Sequence, residues 1–249
     1  MSADVRLAVG LIVLVGIAVA VLSWARVDQR RAVLAAALRA IVQLTFVALV
    51  LRGVFANPGY VVIVVAVMFS VAAWTAGRRL RAFPGALRAV VLSCAVGSAV
   101  VIGLVVGLPV LSRDVRTLVA VSGIVFGGTM TAATLTGRHF RSGLIRRRDE
   151  VEAWLSLGAT PRQAAGPIAR DAVFEALVPG LDQTRTVGLV TLPGAFVGAL
   201  LGGASAAGAA RFQVVVLVGL MCAQSITGTC LAYLLGAPRT LPVEESTAR

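Results

Sequence analysis

Residues 5–24 read VRLAVGLIVLVGIAVAVLSW. About 20 residues of helix rise about 30 Å, the thickness of a bilayer's hydrocarbon core, and after Arg6 this run carries no charge. Arg26, Arg30 and Arg31 follow without a small-residue cleavage signal, so the run reads as a retained membrane helix and not as a removed signal peptide. Further stretches of similar length and apolarity lie at 33–51, 60–77, 89–108, 118–136, 187–204 and 212–235. The expectation is an all-α, polytopic integral membrane protein of about seven transmembrane helices, forming a single transmembrane domain over residues 1–249.

Composition agrees. The chain of 249 residues is 58% hydrophobic and 14% charged, with a mean hydropathy of +0.92, too apolar for a soluble domain and too rich in long apolar runs for disorder. A net charge of +12 raises nucleic acid as a partner, but the arginines cluster between apolar runs, where they meet anionic headgroups. The expected partner is therefore the lipid membrane, with no nucleic acid. All 23 basic residues are arginine; a P-loop needs a lysine, so this chain is no P-loop ATPase and binds no nucleotide cofactor by that motif. Cys94, Cys222 and Cys230 fall in apolar runs; on a helix, residues 222 and 230 differ by roughly 80° and about 12 Å, so they read as small apolar fillers.

Placing the N-terminus outside leaves only Arg6, Arg52, Arg113, Arg116 and Arg211 on outer segments. The positive-inside rule then favours an N-out, C-in orientation in the cell inner (plasma) membrane. Residues 138–186 become a cytoplasmic segment, and 236–249, with Pro238, Pro242, Glu244 and Glu245, a mobile tail. No acidic residue falls within an expected span, which disfavours an ion-coupled carrier, since such carriers keep a buried carboxylate or histidine for the driving ion.

Polar groups within the spans are few. Arg39 and Gln43 share one helix face at i, i+4, and Arg39 either snorkels to the headgroups or faces the interior. Thr129 and Met130 follow Gly127-Gly128, and Gln224 sits among Met221, Cys222, Ser225, Thr227 and Thr229. These either bond neighbouring helices or line a route. The candidate translocation pathway is thus Arg39, Gln43, Thr129, Met130 and Gln224; the metal ligands are left unassigned. Glycines spaced four apart, Gly103 and Gly107, Gly123 and Gly127, Gly198 and Gly202, point to close helix packing within the bundle or across a dimer.

Within 138–186 lies Glu152-Ala153-Trp154-Leu155-Ser156-Leu157-Gly158-Ala159-Thr160-Pro161. Val151, Trp154, Leu155 and Gly158 form a narrow stripe at i, i+3, i+4 and i+7, opposite Glu150 and Glu152. Gly158 suits a helix C-terminus, Thr160 an N-cap, Pro161 the first position of a new helix and Gln163 its third. Two short helices joined at a defined angle follow, the second reaching about Val178 before Pro179. Such an elbow suits contact with another subunit.

This elbow resembles the coupling loop, or EAA loop, of ABC-transporter permeases: Glu152-Ala153, Gly158-Ala159 and Pro161 match in order and spacing, with Trp154 where a second alanine is usual. The chain is also similar to the FetB family of iron-export permeases, whose plant relatives are implicated in aluminium tolerance. That similarity lies in Arg39-Ala-Ile-Val-Gln43-Leu44, Gly128-Thr129-Met130, Leu177-Val178-Pro179, Val187-Gly188-Leu189-Val190-Thr191-Leu192-Pro193-Gly194 and Gln213. The family pattern has asparagine where Gly128 stands. The resemblance implies a non-enzymatic permease subunit, a homodimer working with two copies of a separate ABC ATP-binding subunit that holds ATP-Mg, and export of iron or another metal. It assigns ATPase coupling to Glu152, Ala153, Trp154, Leu155, Gly158, Ala159 and Pro161, and a helix hinge in the sixth span would fall at Pro193 and Gly194. Other readings are an ABC permease for a non-metal solute such as a nucleotide sugar, a secondary carrier, or a non-transporting membrane scaffold.

Overall fold

A computed structural model describes residues 3–56, 58–108, 110–112 and 114–238, without the side chains of residues 3, 4, 54–56 and 58. Arg113 and most of the expected tail, 239–249, lie outside the described residues. The chain forms α1 (Ala3–Trp24), α2 (Arg30–Ala56), a 3₁₀ turn (Pro58–Tyr60), α3 (Val61–Arg79), α4 (Ala86–Gly107), α5 (Val115–Arg146), α6 (Arg148–Ser156), α7 (Pro161–Arg185), α8 (Gly194–Leu201) and α9 (Ala206–Leu235). The protein is an all-α, polytopic membrane protein. Among the described residues, 6 helices, α1 to α5 and α9, are long and apolar enough to cross a bilayer.

The stretch expected to form a sixth single span, 187–204, instead divides into a loop and the 8-residue α8, which rises about 12 Å and cannot cross alone. The reason is local. Gly188 takes a left-handed φ of 81°, and Pro193, the N-cap of α8, turns Leu192 away from helical geometry. Gly203, at φ 90°, closes the far end.

Clustering of contacts separates residues 1–60 from 61–249. In the first unit α1 packs on α2, and Leu7, Ile12, Leu14, Leu38 and Leu44 remain exposed, as suits a lipid solvent. In the second unit α5 touches α3, α4, α7 and α9. Close approach is made where glycine meets another helix: Gly97 lies against Ala223 and Thr227 of α9, Gly137 against Leu80 and Gly143 against Ile168 of α7. Of the spaced pairs, Gly103, Gly107, Gly127 and Gly198 face open space, while Gly123 abuts Met68. The spacing rule found small residues; shape selected which ones pack.

Helix direction follows from the cores. Phe212 and Val216 of α9 cluster with Val121 and Val125 of α5, whereas Leu231 and Leu235 cluster with Phe140 and Leu144, so α5 and α9 run parallel. α7 runs against both, since Arg162 at its start lies 3.9 Å over the Tyr233 ring and Gly180 near its end meets Gln224. The chain must travel back along the bundle between α5 and α9. α7 makes the first part of that return, and the loop with α8 makes the rest.

Candidate functional site

The elbow is built from the end of α5 onward. The Arg147 guanidinium grips both Glu150 oxygens at 2.7 Å and donates to Asp171 on α7 at 3.0 Å, joining three helices through one side chain. The hydrogen bond from Arg147 holds the Glu150 carboxyl below the usual range. The next residue, Arg148, pairs with Glu152 one turn on at 2.7 Å. The apolar stripe does not act as one face: Val151 is 1% exposed, while Trp154 is 49% and Leu155 38% exposed, and Leu157 beside the stripe is exposed too. Val151 anchors α6 and the others remain free to bind.

α6 ends as the residues dictate. Gly158, at φ 88°, lets its own N–H reach Leu155 O at 3.0 Å and the Ala159 N–H reach Trp154 O at 3.0 Å. Thr160 then caps α7: its hydroxyl accepts from the Gln163 N–H at 3.3 Å, and the Gln163 side chain accepts from the Thr160 N–H at 2.8 Å, with Pro161 in the first helical position. Trp154, Leu157, Gly158, Ala159, Arg162 and Gln163 border an open groove between the two helices. Glu152, Ala153, Leu155 and Pro161 are exposed on the same elbow.

A second set of expected residues meets in the middle of the bundle. Thr129 is buried, donates to Phe126 O at 3.1 Å and lies 3.5 Å from the Ser98 hydroxyl. Thr227 donates to Ser93 O at 3.3 Å, tying α9 to α4. The Gln224 amide lies beside Gly128 and Gly180, so α5, α7 and α9 converge on it, and Leu220 fills the space a side chain at residue 128 would need. Met130 packs at the edge of the buried core. Arg39 and Gln43 belong to the other unit and are exposed on α2, and their side chains form no hydrogen bond or ion pair among the described residues.

One charged pair was not legible in the sequence as part of the bundle. Residues 138–186 looked wholly extramembranous, yet 138–146 continue α5 and α7 packs along α5 and α9 as far as Gln224. Asp182 and Arg185, paired at 3.3 Å, therefore stand beyond Gly180, well up the bundle. The available signal was the run Ala165, Ile168, Ala169, Ala172 and Ala176, a buried face unlike that of a surface helix. Pro193 is half-buried at the start of α8, and Gly194 is exposed with open space beside it. Among the described residues, no group of three His, Cys, Asp or Glu is placed to hold a metal ion.

Comparison with known proteins adds a lineage. The model of "Uncharacterised protein family (UPF0014)" matches residues 4–239. The chain is 36% identical over 222 residues to the "UPF0014 membrane protein STAR2" of Oryza sativa subsp. japonica, covering 88% of this chain and 78% of that one. It is 36% identical over 200 residues to the "Protein ALUMINUM SENSITIVE 3" of Arabidopsis thaliana, covering 78% and 73%. It is 30% identical over 202 residues to the "Probable iron export permease protein FetB" of Escherichia coli (strain K12), covering 79% and 76%. No solved structure matches the chain.

Proposed function

The chain belongs to the UPF0014 family of membrane proteins, and from that premise we propose that it is the membrane-spanning permease subunit of an ABC transporter that exports iron or another metal. The carrying observation is the elbow of α6 and α7. Gly158 and the Thr160–Gln163 capping box hold its angle, and Trp154 and Leu157 are exposed on it. A helix that buries one residue and leaves an indole half-exposed beside Arg162 suits docking on a partner protein. The partner in this reading is an ATP-binding subunit that holds ATP-Mg and performs the hydrolysis. Two permease copies would pair with two such subunits in the plasma membrane, N-terminus out.

Closure of the ATPase pair would push on the elbow. α7 is fixed to the end of α9 by the Arg162–Tyr233 contact and to α5 by Arg147, so the push would travel along α7 to the loop and Pro193-Gly194. Thr129, Met130 and Gln224 are the proposed route residues of the second unit, and Arg39 and Gln43 on α2 are those of the first. The test is co-expression with a candidate ATP-binding subunit, followed by affinity purification and transport of iron into inverted vesicles. Co-purification with ATP-dependent iron accumulation supports the reading. Iron transport without any ATP-binding subunit would remove it.

A further inference from the structure

α7 ends near mid-height of the bundle. Gly180 lies against Gln224, whose amide also reaches Gly128; the next residue of α5, Thr129, meets Ser98, near the middle of the 22-residue α4. Beyond Gly180, the Asp182 and Arg185 side chains are 60% and 75% exposed. The backbone then leaves the helix. The Gly188 N–H bonds to Thr191 O at 2.9 Å and the Val190 N–H to Thr186 O at 3.0 Å, but the carbonyls of residues 187–190 accept no hydrogen bond among the described residues.

Hydrocarbon tolerates neither feature. An exposed ion pair at mid-bilayer costs several kcal/mol, and irregular backbone persists at that depth only where protein covers it or water reaches it. We infer that the face where α7 breaks lines a water-filled cavity reaching the middle of the membrane. Asp182, Arg185 and the free carbonyls of residues 187–190 are its polar lining. Beside the exposed side chains of Leu189, Val190 and Leu192, the lining offers oxygen acceptors and one guanidinium, which suit a hydrated, charged solute. The cavity rests on the membrane-spanning fold; its use by exported cargo rests on the permease reading above. Broken helices also concentrate free carbonyls where ions can be met without full dehydration.

The test is thiol accessibility in native membranes, in a background with Cys94, Cys222 and Cys230 replaced by Ala. Leu189→Cys and Thr191→Cys each place a thiol on the loop without removing a side-chain hydrogen bond, and Val96→Cys places one on an exposed position of α4 at similar height. A charged, water-soluble thiosulfonate needs ionised thiol in water, so the loop cysteines should react at least about ten-fold faster than Val96→Cys. A permeant maleimide serves as a control for folding and access. Gln183→Cys provides a second position if a loop variant is not inserted. Loop cysteines as unreactive as Val96→Cys would overturn the cavity. The labelling needs neither cargo nor an ATP-binding subunit, so its failure leaves the permease reading standing, and failed co-purification leaves the cavity standing.

Discussion

Gly97 has the Ala223 carbonyl oxygen 2.8 Å from where a Cβ would stand, with the Thr227 hydroxyl beside it. A backbone carbonyl cannot turn aside as a side-chain tip can. Gly97→Ala should therefore push α4 from α9 and cost about 1–3 kcal/mol, read as a lowered Tm in detergent. Gly103→Ala, on the same helix with open space beside it, should leave Tm unchanged or raise it, and equal losses at both sites would contradict the packing. Asp114 makes a second case. It caps α5 by accepting from the Thr117 N–H at 2.6 Å, and this bond, then that from Ser112, holds its carboxyl below the usual range. A lowered folded pKa contributes stability above the unfolded pKa, and the contribution fades as pH falls through the folded value. Asp114→Ala should cost about 1 kcal/mol at neutral pH, and the gap from wild type should close in acid, below the ordinary carboxylate range. A gap independent of pH would assign the loss to something other than the charged cap.

The elbow of α6 and α7 is held by local contacts that single substitutions can reach. Arg148 and Glu152 are both about half exposed, so reversing the charge with Glu152→Arg should change stability by less than about 1 kcal/mol. In Gly158→Leu the Cβ meets no atom within 4 Å, but the residue must adopt φ 88°, a strain of about 1–2 kcal/mol at the joint. Both variants should fold and insert, and both should co-purify less of the ATP-binding subunit or hydrolyse ATP without transport. Normal coupled transport in both would take the docking role away from this elbow. Its legibility came from short-range chemistry, because a glycine stop, a threonine cap and a proline start act within one turn of the residues that specify them. The fate of Trp154 and Val151 was not legible. Periodicity put them on one stripe, and only the neighbouring α7 decided which was covered.

For the whole molecule, the arginine asymmetry predicts that a cysteine placed near Arg211 reacts with an impermeant thiol reagent from outside, while one near Arg146 does not. Parallel α5 and α9 agree, since Arg211 lies at the start of α9 and Arg146 at the end of α5. The reverse pattern would invert the orientation. By itself the sequence determined the solvent and the number of long apolar helices to within one, because crossing a bilayer is a matter of length and hydropathy along a continuous segment. It also placed the elbow's joint at Gly158 to Pro161, which is local, but not the end of α7, expected at about Val178 and found at Arg185 beyond Pro179. The tertiary structure decided what depends on neighbours far along the chain. It chose Gly97 and Gly128 over the regularly spaced glycines, left Arg39 and Gln43 exposed, and carried α7 up against Gln224 so that a segment read as extramembranous makes half of a broken return. A charged helix such as α7 fails every hydropathy window, yet its alanine face packs on α5 and α9 and leaves Asp182 and Arg185 exposed, and no one-dimensional pattern states how high in the bundle that packing reaches.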